Sequence, residues 1–236
     1  MAPTETSESA GSLCWHCHQT SSWDPLCPHC ATIQPVGVEV DYFSLLGLEA
    51  KKMRLEPESL EKTFYALSRQ VHPDRYQNRS PKEREIAEER SAMVNVAYRT
   101  LRDPIARTEY LLTLEEGPSH EAQDQSPAGF LHEIMELEET IEAYQGSDDA
   151  DRGTLENTLK EARQALGARW EALEAELHEA FERWDRRVVE EGSDEAKAPL
   201  LSRFREILHH RRYLTKTIED ISDALAGEPR SGTLVD

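Results

Sequence analysis

The residues best suited to chemistry are four cysteines in two clips, Cys14-Trp15-His16-Cys17 and Cys27-Pro28-His29-Cys30. Each clip sets two thiolates on one side of a tight turn. Two clips nine residues apart complete a tetrahedral sulfur shell, which suits Zn²⁺. All four ligands come from the protein, so no position is left for water and the ion is expected to be structural. The competing readings are iron in the same shell, unmetallated thiols, or a redox centre. His16, His18 and His29 could also serve as ligands, but the four cysteines already close the shell. Trp15 and Trp23 are expected to cover the site, because so short a segment has little other core. No cysteine occurs outside residues 14–30, which fits a metal framework in a reducing compartment rather than a disulfide scaffold.

A second group is His72-Pro73-Asp74. On its own the tripeptide reads as a loop with a proline stop. No nucleophile or metal set adjoins it, so His72 is not read as a catalytic base. The chain also lacks a Gly-rich phosphate loop ending in Gly-Lys-Ser/Thr, so it is not expected to hydrolyse ATP or to be an enzyme. Lys62, Arg69 and Arg75 are the nearby cations, and their plain reading is a solvated helix face.

The elements that must position these groups are nearly all helical. Asp41 can cap a short helix carrying Tyr42, Phe43, Leu45 and Leu46, stopped near Gly47. A second helix starts at Pro57, with Leu60, Phe64, Leu67 and Val71 on one face. It must stop at His72, because Pro73 disfavours the α conformation before it. Ser80-Pro81 opens a third helix with Ile86, Met93, Ala97 and Leu101 on one face. Asp103-Pro104 starts a fourth, ending near Leu112. Ser126-Pro127 opens a fifth, running to about Tyr144. A sixth spans about Thr154 to Val189, with a stripe from Leu155 through Leu159, Leu166, Trp170, Leu177 and Trp184 to Val188. So long a stripe needs partner helices to cover it. The seventh carries Phe204, Ile207, Leu208, Leu214, Ile218, Ile221 and Leu225, and Gly227 stops it. No strand run is expected outside the cysteine segment.

The Tyr42-Phe43-x-Leu-Leu-Gly47 helix, the His72-Pro73-Asp74 loop and the Asn95-x-Ala97-Tyr98-x-x-Leu101-x-Asp103-Pro104 run together resemble the J-domain of DnaJ-type co-chaperones. The resemblance implies docking on a DnaK-type chaperone and stimulation of its ATP hydrolysis. It gives the stimulating role to His72, Pro73 and Asp74, and the docking role to Lys62 and Arg69. Glu58 and Glu61 dilute the positive charge of that helix. Beyond it, Arg107-Thr108-Glu109-Tyr110-Leu111-Leu112 is followed by Phe130-Leu131-His132-Glu133-Ile134-Met135-Glu136-Leu137-Glu138-Glu139. Phe130, Ile134, Leu137 and Ile141 make a core stripe, while Leu131 and Met135 form a second apolar row. That row is either a wider buried stripe or a surface for a partner. From the J-domain to about residue 225 the chain is similar to the HscB-type co-chaperones of iron–sulfur cluster biogenesis. This likeness implies an IscU-type scaffold as partner, a DnaK/HscA-type chaperone, and a scaffold-binding face of Leu131, Met135, Glu136, Glu139 and Tyr213. His132 stands where that family commonly has Met. The four-cysteine segment resembles the zinc-binding extension of eukaryotic members. A general client-binding or dimerisation role for the last three helices is the alternative.

The expected architecture is therefore all-α. Residues 1–13 are expected to be disordered, 14–40 to form the zinc knot and a linker (31–40), and 41–113 a four-helix J-domain. Residues 114–236 are expected to form an antiparallel three-helix bundle. Charge supports a division. Residues 1–113 hold 16 acidic and 13 basic residues, against 30 and 14 in residues 114–236, for a net of −19. Such acidity argues against nucleic acid or an anionic membrane as partner. No apolar run approaches the roughly 20 residues that span a bilayer. Residues 1–12 lack an apolar core and arginine, so neither a secretory nor a mitochondrial leader is read, and a cytoplasmic location is expected.

Overall fold

The structure, a computed structural model, describes residues 12–21, 24–37, 40–48, 50–117, 128–189 and 197–227. The side chains of Ser12, residues 128–131, Asp149 and Val189 lie outside this description. The chain divides into two compact units, Met1–Tyr110 and Leu111–Asp236. Its elements are strands β1 (Ser12–Leu13) and β2 (Thr20–Ser21), followed by α1 (Tyr42–Leu45), α2 (Pro57–Val71) and a 3₁₀ turn (Pro73–Tyr76). Helices α3 (Pro81–Arg102), α4 (Pro104–Glu116), α5 (Ala128–Gly146), α6 (Asp149–Val189) and α7 (Ala198–Ala226) complete the order.

In the first unit, short-range capping chemistry fixes the helix ends. The Asp41 carboxylate accepts from the Ser44 amide at 2.8 Å, which starts α1. Helix α2 begins on Pro57, and His72 at its end is already extended (φ −60°, ψ 127°), as a residue before proline must be. A capping box opens α3. The Ser80 hydroxyl accepts from the Glu83 amide, and the Glu83 carboxylate accepts from the Ser80 amide at 3.0 Å. Asp103 accepts from the amides of Ile105 and Ala106, so α3 stops and α4 starts at the same residue. The core gathers Phe43, Leu46, Met53, Leu60, Val71, Ile86, Ala87, Val94, Ala97 and Leu101, all nearly or fully buried. Phe64 stacks on Tyr98 at 4.1 Å between ring centroids, and Tyr42 on Tyr110 at 4.2 Å. The Tyr42 amide also donates to the Tyr110 hydroxyl.

The second unit is a bundle of α5, α6 and α7. Ile141 and Tyr144 meet Leu159, Leu166, Leu214, Ile221 and Ala224 in one apolar cluster. Further along the same pair of long helices, Phe204 packs against Phe181 and Trp184 at 5.7 and 6.0 Å. Every residue of the α6 stripe named from the sequence, Leu155 to Val188, is buried or half-buried. Gly227 closes α7 in a left-handed conformation (φ 74°), where a side chain would be strained.

Several expectations need correction. Met93 is 37% exposed and its neighbour Val94 takes the buried place, because the inner face of α3 runs through Ile86, Arg90, Val94, Ala97 and Leu101. Helix α4 continues past Leu112 to Glu116, and α6 starts at Asp149 rather than Thr154. Ser12 and Leu13 are not disordered but pair antiparallel with Thr20 and Ser21, while residues 1–11 lie outside the described part. The segment read as a linker is packed rather than free: Ile33 is fully buried and Gln34 is 3% exposed.

Candidate functional site

The two cysteine clips fold by the same rule. In the first, the Cys14 amide donates to the Gln19 carbonyl and the His18 amide to the Cys14 carbonyl. In the second, the Cys27 amide donates to the Thr32 carbonyl and the Ala31 amide to the Cys27 carbonyl. The residue after each clip's second cysteine, His18 or Ala31, takes positive φ (59° and 55°), turning the chain back over the sulfurs. The four Sγ atoms all lie within 4.8 Å of one another. Cys14 to Cys30 is 3.7 Å and Cys17 to Cys27 is 3.8 Å. A tetrahedral ion with bonds of about 2.3 Å requires sulfurs about 3.8 Å apart, so the donor set fits a tetrathiolate metal site. The His16 and Cys17 amides point at the Cys14 sulfur. The Thr32 hydroxyl and amide lower Cys30 to about 5. At Cys17 the Gln19 amide lowers the pKa, but burial and the three neighbouring thiols outweigh it and push it up to about 12. Thiolates crowded in this way repel one another until a cation sits among them. His16, His18 and His29 are exposed and outside the cluster. The Trp15 indole donates to the Ile33 carbonyl at 2.7 Å, bracing the first clip against the chain leaving the second. Trp23 lies outside the described residues.

Sequence reasoning missed Arg90. It lies in the apolar stripe of α3 and is 2% exposed. Its Nε donates to the Gln34 carbonyl at 2.5 Å, and Nη2 reaches the carbonyls of Pro35 and Asp24 at 3.3 and 3.5 Å. Burial draws the guanidinium down to about 10, so it stays cationic at neutral pH. A signal was available: Arg90 falls four residues from both Ile86 and Val94, where a solvated arginine has no place. Lys82, two turns earlier, sits over the Trp15 ring at 4.3 Å.

The His72-Pro73-Asp74 loop is solvent-facing, with side chains of His72 and Asp74 54% and 73% exposed. The His72 ring accepts from the Asp74 amide, and Asp74 accepts from the Gln77 amide group at 3.2 Å. Arg75 donates to the Arg69 carbonyl at 2.9 Å, satisfying an orphan acceptor at the end of α2. Tyr76 is buried, and its hydroxyl donates to the Gln70 carbonyl. The loop is thus held by its base while its two polar side chains stay largely exposed to solvent. Lys62 and Arg69 are exposed on α2, with half-exposed Tyr65 between them on the same face.

On α5, Met135 is 53% exposed, and Glu136 and Glu139 are exposed beside it. Glu136 lies 3.3 Å from His132 one turn back. Glu133, on another side of the helix, pairs with Arg169 of α6 at 2.6 Å. The side chain of Leu131, expected in the same row, lies outside the described residues. Tyr213 is half-buried on α7, with its ring against His209 at 4.8 Å. Met135, Glu136 and Glu139 therefore share one exposed surface, while Tyr213 stands on a different helix.

The comparisons with known proteins agree with this division. A DnaJ domain matches residues 41–110, and an HSCB C-terminal oligomerisation domain matches residues 126–222. The iron-sulfur cluster co-chaperone protein HscB homolog of Arabidopsis thaliana is 36% identical over 161 residues, 68% of this chain and 61% of the relative's length. The human iron-sulfur cluster co-chaperone protein HscB is 31% identical over 215 residues, covering 88% of this chain and 80% of the relative. The crystal structure of human HscB superposes with a TM-score of 0.59 at 27% identity, over 89% of this chain and 97% of that one. With a J-domain, a matched C-terminal domain and a relative of this similarity over most of both chains, the chain belongs to the HscB family of iron–sulfur cluster co-chaperones.

Proposed function

We propose that this protein is a co-chaperone of iron–sulfur cluster assembly. In this reading the bundle holds an IscU-type scaffold through the α5 face of Leu131, Met135, Glu136 and Glu139, with Tyr213 at its margin. The exposed His72-Pro73-Asp74 loop stimulates the ATPase of a DnaK/HscA-type chaperone that docks on Lys62 and Arg69. Cys14, Cys17, Cys27 and Cys30 hold one structural Zn²⁺. Four free cysteines with no disulfide among the described residues fit a reducing compartment such as the cytoplasm. The observation that carries the reading is Met135, an unbranched apolar side chain left half in water on a helix whose other face is core, with carboxylates beside it. An apolar anchor rimmed by negative charge suits a partner with an apolar patch and basic surroundings.

The test uses the purified chain, an IscU-type scaffold and a DnaK-type chaperone. Met135→Ala should weaken scaffold binding measured by calorimetry by about 1–3 kcal/mol. His72→Gln should abolish stimulation of the chaperone's ATPase while helix content by circular dichroism stays unchanged. Scaffold affinity untouched by Met135→Ala, with the variant instead losing self-association in ultracentrifugation, would favour a dimerisation face. The description of the matched C-terminal domain as an oligomerisation domain motivates that second reading.

A further inference from the structure

Arg90 does not bind one point on the cysteine segment; it binds both flanks of the second clip at once. Asp24 lies just before Cys27, and Gln34 and Pro35 lie just after Cys30. Their carbonyls converge on a single guanidinium. The flanks are brought together by the Gln34 amide donating to the Pro25 carbonyl at 2.9 Å and by the bridge between Leu26 and Ile33. This cradle of carbonyls forms across the closed second clip, in which the Cys27 amide meets the Thr32 carbonyl and the Ala31 amide the Cys27 carbonyl. The first clip reaches the same helix through Trp15, which carries Lys82 of α3 on its ring and donates to Ile33.

On the other side, α3 carries the His-Pro-Asp loop. The 3₁₀ turn packs on α3, and Tyr76 ends that turn as a buried residue. Tyr76 and Arg90 lie close enough to perturb each other's ionisation, and Tyr76 ties the turn back to Gln70 at the end of α2. A guanidinium stripped of acceptors in this position would be a buried, uncompensated charge. The surrounding helix must then shift to let in water.

We propose that Arg90 is a positioning residue that couples metal loading of the four-cysteine knot to the order of the His72-Pro73-Asp74 loop. Filling the knot locks the carbonyl cradle, the cradle fixes Arg90, and Arg90 fixes the first turns of α3 on which the loop is built. Emptying the knot loosens both. By linkage the coupling is reciprocal, so an ordered loop raises the metal affinity of the knot. The inference rests on the reading that the four cysteines hold a metal, and the experiment measures that separately.

The experiment is hydrogen exchange with mass spectrometry on the full chain under reducing conditions, loaded with Zn²⁺ or stripped by a chelator, with bound zinc counted on the same samples. The reporters are the Arg75 and Arg79 amides, which donate to the His72 and Tyr76 carbonyls, and the amides of α3 up to Arg90. Stripping zinc from the wild-type chain should speed their exchange about tenfold, a typical coupling between sites. In Arg90→Met, zinc should still bind at one per chain, but its removal should change exchange of these amides by less than about twofold. Arg90→Lys, which keeps the charge but not the fork, serves if the methionine variant does not fold and should show the same loss. One bound zinc with exchange unchanged on stripping, or a full metal-dependent difference retained in the Arg90 variants, would overturn the coupling alone. Failure to bind zinc at all would overturn the metal reading and the coupling with it.

Discussion

Residues 1–110 place a guanidinium in the middle of their packing, whereas residues 111–236 place indole and phenyl rings there. Among the described residues, six of the seven buried polar side chains belong to the first unit: Ser21, Thr32, Gln34, Arg90, Arg107 and Thr108. Thr217 is the one in the second. Net charge follows the opposite order, about −3 against −16, and among the described residues of the bundle no acidic side chain is buried in the apolar seam. The difference teaches how each unit is specified. Apolar burial scales with area and tolerates small shifts, so a bundle can be long and simple. Buried hydrogen bonds are directional and costly when broken, so a small unit uses them to fix relations that its limited core cannot.

That contrast can be broken at several points. The largest expected effect is at the metal site. Cys27→Ser should abolish bound zinc, measured by metal analysis after dialysis, and lower the melting of the first unit. The bundle's far-ultraviolet signal should melt unchanged; a melt unaltered in both units would show that the knot is not part of the first unit's stability. Next comes the bundle core. Trp184→Ala removes a side chain only 1% exposed and should cost about 3–5 kcal/mol in denaturant unfolding of the second unit. A cost below about 1 kcal/mol would mean the rings around Phe204 are not its anchor.

Smaller still is the start of α3. Ser80→Ala should cost about 0.5–2 kcal/mol, since it removes half of the capping box. The Ser80 amide holds the Glu83 carboxyl below the usual carboxylate range. Its contribution is therefore present above the ordinary carboxylate pKa and lost as pH falls through the lowered one. Glu83→Gln, which removes the titrating carboxyl, should accordingly flatten the acid limb of a stability–pH curve for the first unit, and an unaltered limb would count against the box. The smallest effect is on the outer face of α5. Met135→Ala should change stability by no more than about 0.5 kcal/mol by circular dichroism, as expected of a residue half in water. A loss of several kcal/mol would make it core and remove it from the scaffold face.

Much of this was legible because the signals are local. Pro57, Pro81 and Asp103 mark helix starts through the chemistry of their own neighbours. The Leu155–Val188 stripe repeats often enough that no other element fits it. The four cysteines are two local motifs that needed only to meet, and all four Sγ atoms do. What escaped was non-local. Arg90 and Pro35 are 55 positions apart, and nothing near either one announces the bond. Residues 31–40 looked like a spacer because the Gln34 and Pro35 carbonyls find their partner on a helix far along the chain. Met93 and Val94 were exchanged because a stripe interrupted by a buried arginine shifts its apparent phase. On α5, the second apolar row could not be assigned to surface or core by spacing; Met135 is exposed, while the side chain of Leu131 lies outside the described residues.

The cradle around Arg90 has one more consequence, for what can change in this chain and what cannot. The three carbonyls described around it are main-chain oxygens, and every residue type carries one. Substitution at a position such as Pro35 leaves the acceptor in place, provided the backbone keeps its path. Removing one residue between Cys30 and Pro35 is a different matter. It moves the carbonyls by about 3.3–3.6 Å along an extended chain, beyond the reach of any hydrogen bond. Identity at exposed Pro35 is free to drift while length is not, and Ile33 and Thr32 stay constrained by burial and by the bond to Cys30, so a library that varies both should tolerate replacements at Pro35 and few deletions in the stretch.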